Sequence, residues 1–404
     1  MKENQYKKDN IEKNGSKKSE VRVKKAVGME SLVLFILLLG SFGAISSQMG
    51  MINMLNTMMN TAYRLLIDTV FYIMAIAVVV GGIAGLLTEF GIVAVVNKIL
   101  SPLMKPLYGL PGACVVGVLT TYLSDNPAIL TLANDNNFRR YFKKYQLPAL
   151  TNIGTAFGMG MIITAFIAGL KAPDGESFLF AAAIGNLGAI AGSVVSARLM
   201  LIKTKKLYGT EAAADTTRNA PAVSADQRLI RDGSVGERCM AALMEGGKSG
   251  VTLGLSIVPG VLIICTVVMI LTNGPGAGGE YTGSAYEGVG LIPFLAEQIE
   301  FVLTPLFGFS SAEGIAVPIT ALGSAGAAIG LIPNMVESGL ASGNDVAVFT
   351  AMCMCWSGYL STHVAMMDSL NFRSLTGRAI FCHTIGGLCA GAAAHFIYAG
   401  IALL

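Results

Sequence analysis

The sequence predicts an all-α, polytopic membrane protein with about 9–11 transmembrane segments, arranged as two inverted-topology repeats that contain broken or re-entrant helices. Three observations predict this fold class: an apolar composition, a gap-free internal match, and basic loops that alternate with loops lacking Lys and Arg. Of the 404 residues, 53% are hydrophobic and 13% are charged, against about 25% charged in soluble domains. A chain of this composition belongs in a lipid bilayer.

The internal match covers much of the apolar part of the chain. Residues 106–192 align with residues 305–391 without a gap, at a constant offset of 199 positions. Unrelated membrane segments have no reason to keep every loop at one length, so the equal spacing predicts a duplicated unit. Internal duplication is typical of transporters, whose halves rock or gate around a central site. The identical pairs within the first block are Pro106/Pro305, Leu107/Leu306, Gly109/Gly308, Ala113/Ala312, Val118/Val317, Thr121/Thr320, Leu123/Leu322, Ala128/Ala327 and Leu132/Leu331.

A membrane helix needs roughly 20 apolar residues. Apolar stretches of about this length lie at 28–48, 65–88, 147–170, 177–202, 248–272, 346–367 and 378–403. The less regular regions 90–108, 110–133, 288–308 and 310–333 either span the membrane or are interfacial or re-entrant.

Loop charges predict the orientation of these segments. Lys and Arg are concentrated in the N-terminal tail and in residues 135–146 and 203–240, whereas the connections 172–177, 273–287 and 334–345 contain neither. By the positive-inside rule the basic set is cytoplasmic. The expected location is therefore a bacterial-type inner membrane, crossed many times, with the N-terminus in the cytoplasm. Five elements per repeat then place the second copy in the opposite sense, so charge and duplication agree.

The predicted organisation has five parts. They are a disordered basic cytoplasmic tail (1–26), a first transmembrane helix with a linker (27–64), a first gate repeat (65–202), a cytoplasmic linker (203–247) and a second gate repeat (248–404).

Both copies interrupt an apolar stretch at one equivalent place, around residues 124–127 and 323–326. Pro and Gly disfavour a continuous helix there, and exposed backbone at a break must line an enclosed cavity rather than lipid. Asp125 is the strongest candidate for a functional residue, because an acid within an apolar span is costly; the alternative is a helix-capping aspartate at the membrane surface. Candidate substrate-binding residues at the two breaks are Thr121, Ser124, Asp125, Asn126, Glu313, Thr320 and Ser324, of which Glu313 could instead satisfy a helix N-terminus.

A second matched pair of stretches, 147–170 and 346–368, is also interrupted by polar residues and glycine. The candidate substrate-binding residues there are Asn152, Thr155, Ser361, Thr362 and His363. His363 could relay protons or contact solute, or be a hydrogen-bonded structural histidine. Cys353, Cys355 and the three histidines do not predict a metal site, because residues two apart on a helix face different ways.

No enzyme motif is found: the chain has no phosphate-binding loop, no HExxH and no GxSxG at a strand-to-helix turn. We therefore expect no enzyme and no cofactor, with H+ or Na+ as the coupling ion if transport is driven. The expected partners are the lipid bilayer and a small-molecule solute, with no nucleic acid. A homo-oligomer or a partner membrane subunit is compatible with the sequence.

The blocks KPLYG (105–109) and TPLFG (304–308), each followed by a small-residue span with a polar break, resemble paired gate domains. This is the nucleoside-recognition module of YjiH-like membrane proteins, which is also found in concentrative nucleoside transporters, ferrous iron transport protein B and spore maturation proteins. The resemblance covers about 65–200 and 248–403 and implies a membrane protein that handles a small solute. The carried-over residues are Ser124, Asp125 and Asn126 in one repeat and Gly323 and Ser324 in the other. The sequence lacks the acidic and asparagine signature with which concentrative nucleoside transporters hold ribose. It also lacks the Cys/Pro gate sequence and the attached GTPase of the iron transporters.

The expected function is a transporter or permease for a small polar solute, nucleoside-like or another metabolite, working by alternating access between the two gate repeats. The alternatives are a non-transporting gate-domain scaffold, such as a sporulation or membrane assembly protein, and a metal-ion transporter.

Overall fold

The structure is a computed structural model. It describes residues 27–124, 129, 136–139, 141–175, 177–214, 230–276 and 278–403, and only the backbone at 136, 137, 359, 361 and 362. The predicted tail 1–26 lies outside the described residues, as do residues 215–229 of the predicted linker. The chain divides into two units, Met1–Gly50 and Met51–Leu404. The described part of the first unit is one apolar helix, α1 (Met29–Met49).

The second unit contains the helices of both repeats. Those before residue 215 are α2 (Met51–Arg64), a first π-helix (Leu65–Val70), α3 (Phe71–Glu89), α4 (Ile92–Tyr108), α5 (Cys114–Leu123), the single turn α6 (Asn136–Arg139), α7 (Leu147–Thr155), α8 (Gly160–Gly169) and α9 (Leu179–Tyr208). Those after residue 229 are α10 (Val235–Pro259), a second π-helix (Gly260–Cys265), α11 (Thr266–Thr272), α12 (Leu291–Glu297), α13 (Glu300–Phe307), a 3-10 turn (Ala312–Ile315), α14 (Ala316–Gly323), α15 (Ala325–Glu337), α16 (Gly343–Cys355), α17 (Tyr359–Ser369), a 3-10 turn (Arg373–Leu375) and α18 (Thr376–Ala402).

Six helical stretches among the described residues are long and apolar enough to cross a membrane, which makes the chain a polytopic membrane protein. They are Met29–Met49, Met51–Glu89, Leu147–Gly169, Leu179–Tyr208, Val235–Thr272 and Arg373–Ala402. A bent pair of helices, Glu300–Phe307 with Ala312–Gly323, turns by 78° between them and would make a seventh as a broken span or a re-entrant loop. The irregular regions of the sequence thus form short or bent helices.

One helix starts earlier than expected. A linker was expected up to residue 64, but Met51–Glu89 is helical throughout its 39 residues. Neither Gly nor Pro occurs between residues 51 and 80, so nothing in this stretch stops the helix. Polar residues of α2 bind a loop of the second repeat: Asn60 Nδ2, for example, donates to the Gly283 carbonyl at 2.8 Å.

The two repeats share backbone turns at equivalent positions. Helices α4 and α13 end at glycines in the left-handed region, Gly109 with φ 69° and Gly308 with φ 62°. The breaks after α7 and α16 also pass through left-handed residues, Met159 with φ 56° and Gly358 with φ 55°. Each pair is separated by 199 positions, the offset of the sequence match. The backbone therefore repeats along with the sequence.

The first long helix of one repeat packs against the first long helix of the other. Gly81 of α3 lies against Gly246 of α10, and Gly85 lies against Ala242, with backbone touching backbone. Residue numbers rise along α3 as they fall along α10, so the two helices are antiparallel. Small residues allow this close approach, which is common between membrane helices.

The last helices of the two repeats, α9 and α18, are also antiparallel. A Cβ on Gly188 would lie 2.6 Å from the Ala390 carbonyl oxygen, and one on Gly386 would lie 2.7 Å from that of Gly192. Because equivalent helices run in opposite directions in both pairs, the duplication is inverted, as the charge pattern predicted.

A loop between α11 and α12 (residues 273–290) folds over α2 around one buried carboxylate. Glu287 is 3% exposed and accepts from the Thr282 hydroxyl at 2.6 Å and from the Gly283 amide at 3.0 Å. The Thr57 hydroxyl of α2 lies 3.4 Å from the same carboxylate. Burial acts to raise the pKa of Glu287, but the hydrogen bonds from Thr282 and Gly283 outweigh burial, and its pKa lies below its ordinary value.

Candidate functional site

The breaks between α7 and α8 and between α16 and α17 are deeply enclosed in the protein. All nine residues of α7 are buried, and so is α16 from Asp345 to Cys355. The interruptions predicted in these stretches are confirmed as non-helical turns at 156–159 and 356–358. Backbone groups freed at such turns need partners inside the protein.

A buried chain of polar groups crosses between the repeats at these turns. Asn152 Nδ2 donates to Ser196 Oγ at 2.9 Å and to the carbonyl oxygen of Ala379, in the second repeat, at 3.1 Å. Ser196 Oγ lies 2.9 Å from His383 Nδ1, and His383 Nε2 lies 2.5 Å from the carbonyl oxygen of Cys355 at the end of α16. One hydrogen-bonded path thus joins α7, α9, α18 and α16.

The acceptors in this path determine its donors. Because the Cys355 carbonyl can only accept, His383 carries a proton on Nε2 and donates it. In the neutral ring Nδ1 then accepts from the Ser196 hydroxyl, which itself accepts from Asn152. The amide orientation of Asn152 is fixed in the same way, since its Nδ2 must face the Ala379 carbonyl.

One acceptor of this cluster has no hydrogen-bond partner among the described residues. Asn152 is fully buried, and its Oδ1 is unpaired. The Thr155 hydroxyl donates to the Thr151 carbonyl at 2.8 Å and lies 3.3 Å from His383 Nε2. The buried His363 ring lies 4.8 Å from the His383 ring, centroid to centroid, with the two planes tilted by 44°. Three predicted site residues, Asn152, Thr155 and His363, therefore lie together around His383.

A second polar cluster lies beside the α7–α8 turn. Tyr122 donates from its hydroxyl to Asn186 Oδ1 at 3.0 Å, and Asn186 Nδ2 donates to the Thr164 hydroxyl at 2.8 Å. The Tyr122 ring rests on Gly160, where a Cβ would meet Tyr122 Cε2 at 2.6 Å. These contacts tie the end of α5 to α8 and α9.

The breaks after α5 and α14 both lie close to α10 and the second π-helix. Ser324 separates α14 from α15 and caps α15 by accepting from the Ala327 amide at 3.2 Å. Its hydroxyl would lie 2.9 Å from a Cβ on Gly260, the first residue of the second π-helix. Ser124 ends α5 and lines a cavity that Ser256 of α10 also lines. Ser256 and Gly260 are one helical turn apart.

This cavity has a volume of about 910 Å³ and lies along the α3–α10 pair, closed on one side by α5 and Ile162 of α8. Most of its wall is apolar or glycine. Helix α10 adds a row of hydroxyls, and α5 adds two more polar residues. The polar and charged lining residues are Thr88, Glu89, Thr120, Ser124, Arg231, Glu245, Ser249, Thr252 and Ser256.

A cluster of ion pairs stands at the end of the cavity where α3 finishes and α10 begins. Glu89, 4% exposed in its side chain, accepts from Arg231 Nη1 at 2.8 Å and from Arg238 Nε at 2.7 Å. Arg231 also contacts the exposed carboxylate of Glu245. The hydrogen bond to Glu245, followed by the charges of Glu245 and Glu89, raises the pKa of Arg231 despite partial desolvation.

The structure describes only some of the remaining predicted site residues. Thr121 and Thr320 are buried and donate to carbonyls in their own helices, Gly117 and Ala316, each at 2.7 Å. Glu313 lies half-buried in the 3-10 turn before α14. The candidates Asp125 and Asn126 lie outside the described residues, and Ser361 and Thr362 lie in α17 without described side chains.

Sequence reasoning missed several residues of these sites. Ser196 and Tyr122 are common membrane-helix residues without any pattern of their own, and His383 was considered only as a metal ligand. Among the described residues no group of three His, Cys, Asp or Glu is placed to hold a metal ion. The acidic residue Glu89 at the end of an apolar span, with basic residues at 231 and 238, was a usable signal for the ion-pair cluster.

No protein-family model and no curated protein matches the chain. Solved structures of CNTnw, a nucleoside transporter, are similar to it. A substituted CNTnw in an outward-facing state is 12% identical with a TM-score of 0.49, over 91% of this chain and 85% of that chain. CNTnw in an inward-facing substrate-bound state is 13% identical with a TM-score of 0.47, over 92% of each chain. This chain's own helices make it a polytopic membrane protein built from two inverted copies of one unit.

Proposed function

We propose that this protein is a membrane transporter that moves a small polar solute by alternating access between its two inverted repeats. The observation that supports this most directly is the cavity of about 910 Å³, which lies between helices of opposite repeats and is bordered by the break at Ser124. Inverted repeats around broken helices are the arrangement in which one half can rock against the other.

We propose the repeat boundaries 65–202 and 248–404, in an inner membrane with the N-terminus in the cytoplasm. The loop charges support this orientation. Under it, the ion-pair cluster around Glu89 is at the cytoplasmic end of the cavity. Nucleosides are the first solute class to test, because the PLYG and PLFG blocks resemble the nucleoside-recognition module.

The test is solute uptake into proteoliposomes, with nucleosides, amino acids, organic acids, short peptides and divalent ions as candidate solutes. Candidates are first screened by thermal shift of the purified protein, because a ligand that binds only the folded state raises its Tm. A scaffold protein predicts no stabilising solute and no uptake, and that outcome would overturn the proposal.

Adjacent threonines of α5 provide a matched pair of variants for this assay. Thr120 lines the cavity and donates to the Val116 carbonyl at 2.6 Å, which leaves its oxygen lone pairs free to accept. Thr121 donates in the same way but is fully buried away from the cavity. We expect Thr120→Val to raise the KM of uptake about 3- to 10-fold, the worth of one neutral hydrogen bond. Thr121→Val should leave KM unchanged, and equal effects of the two changes would count against this cavity as the solute site.

A further inference from the structure

Arg231 lies at the cavity between two carboxylates that differ in how firmly they are held. Glu89 is almost fully buried and is bound by both Arg231 and Arg238, at 2.8 and 2.7 Å. Glu245 is 68% exposed in its side chain, and Arg231 is the partner of its carboxylate among the described residues. Removing Glu89 would leave a buried charge without its ion-pair partner, which is strongly destabilising. An exposed ion pair such as that of Glu245 contributes little net stability. Glu245 is therefore the exchangeable partner of Arg231.

The guanidinium of Arg231 has donors to spare. It carries five N–H groups in a planar fork that matches a carboxylate. Among the described residues, one oxygen of Glu89 accepts from Nη1 and one oxygen of Glu245 accepts from Nη2. The Arg231 side chain is 36% exposed and lines the cavity, so a further carboxylate can reach it.

We propose that Arg231 binds the carboxylate of a small organic acid, and that Glu245 occupies this position when no solute is bound. Glu89 and Arg238 hold Arg231 in place for this contact. The rest of the cavity wall suits the carbon skeleton of such an acid, because it is largely apolar with hydroxyls along α10. The inference deepens the proposed transport function, on which it rests, by naming the substrate class.

The test measures binding to the purified, full-length protein in detergent by isothermal titration calorimetry at fixed ionic strength. The probes are benzoate, hexanoate and glutarate, each compared with its uncharged amide: benzamide, hexanamide and glutaramide. We expect at least one carboxylate to bind at least tenfold more tightly than its amide. Equal binding of acid and amide in all three pairs would overturn the proposal.

Two variants break the same ion pair and should act in opposite directions. Arg231→Gln should weaken carboxylate binding at least tenfold, whereas Glu245→Gln should strengthen it about two- to fivefold by removing the competing carboxylate. Glu237→Gln is the control for Glu245→Gln: it changes the net charge equally, and glutamine at this position retains the capping box with Ser234. If both ion-pair variants weaken binding, or if Glu237→Gln strengthens it as much as Glu245→Gln, the contact is structural and the proposal is wrong.

Binding and transport can fail separately in this design. If carboxylates bind through Arg231 but no solute is taken up, the proposed transport function is wrong and the proposed binding site still holds. If neutral solutes are taken up and no carboxylate is preferred, the proposed carboxylate site is wrong and the proposed transport function still holds. A thermal melt of each variant without ligand shows that it is folded before its affinity is compared.

Discussion

At the scale of single residues, the centre of the molecule depends on polar side chains that have no access to water. Asn152, Ser196 and His383 are fully buried, and each satisfies a group of another helix. A buried donor or acceptor without its partner is destabilising, so the members of this path depend on each other. Because this hydrogen-bonded path runs between the α7–α8 turn and the α16–α17 turn, it connects the two repeats directly.

Ser196→Ala tests this dependence. The change removes the acceptor of Asn152 at 2.9 Å and the donor to His383 Nδ1 at 2.9 Å. We expect a loss of about 1–3 kcal/mol in stability, seen as a lower Tm in detergent. Ser256→Ala is the control, because Ser256 is exposed and donates to the Leu253 carbonyl of its own helix. Similar Tm values for the two variants would contradict a structural role for the buried path.

The sequence predicted part of this centre. Thr155 and Asn152 were selected because they interrupt an apolar stretch, and they do lie at the break. Ser196 carries no comparable signal, since it is one small residue among many in α9. Which of those residues faces His383 depends on how α9 and α18 cross, and periodicity along one helix does not specify a partner helix.

At the scale of elements, the glycines of α3 and α10 determine how closely the two repeats approach. A Cβ on Gly246 would lie 2.7 Å from the Gly81 carbonyl carbon and 3.1 Å from Gly82 Cα. Backbone atoms cannot move aside as a flexible side chain can, so even one methyl group must separate the helices. The wall of the cavity therefore depends on the absence of side chains.

Adjacent glycines of α10 allow a controlled test of this packing. Gly246→Ala should destabilise the protein by about 1–3 kcal/mol through overpacking. At Gly247 an added Cβ would meet Val78 Cγ1 at 3.5 Å, an ordinary contact. Gly247→Ala should therefore be neutral or stabilise by up to about 1 kcal/mol, because alanine favours helix. Thermal unfolding of both variants checks this, and equal destabilisation would mean that helix contact is not the cause.

The loop over α2 should respond to pH through Glu287. Because the pKa of Glu287 is lowered in the folded protein, its stabilising effect is present above the unfolded value of about 4.3 and is lost as pH falls through the folded value. Glu287→Gln should therefore reduce stability at pH 7 by about 2 kcal/mol, and the difference from wild type should shrink as the pH is lowered below 4. Melting curves between pH 7 and pH 3 measure this. The exposed Glu280→Gln is the control, and a difference that does not depend on pH would contradict this role of the carboxylate.

At the scale of the whole molecule, the inverted duplication was predictable and its asymmetry was not. Equal loop lengths from residue 106 onward and the loop charges indicated two copies in opposite senses, and the antiparallel helix pairs agree with this. The halves differ before the match begins: the first repeat continues its first long helix to Glu89, whereas the second turns into the loop at residue 273. Composition does not show this difference, because it depends on contacts of the buried Glu287 carboxylate with the loop and with α2.

The predicted orientation can be tested by cysteine labelling in a variant without the seven natural cysteines. Asp232→Cys and Glu280→Cys place single thiols at exposed positions in the two connecting segments. An impermeant maleimide should label Glu280→Cys on intact cells and Asp232→Cys only on inside-out vesicles. Labelling of both from the same side would refute the assigned topology.

The two π-helices have a consequence for how the two long helices face each other. Leu65–Val70 and Gly260–Cys265 interrupt the first long helix of each copy and contact each other in the folded protein. A π turn is a helix with an inserted residue, and each inserted residue rotates the rest of the helix by about 100°. Removing Leu66 alone would turn the glycine face of α3 away from α10, so neither copy can lose its insertion independently. The two contacting insertions therefore set the rotation of both long helices, and with it which residues of α3 and α10 form the wall of the cavity.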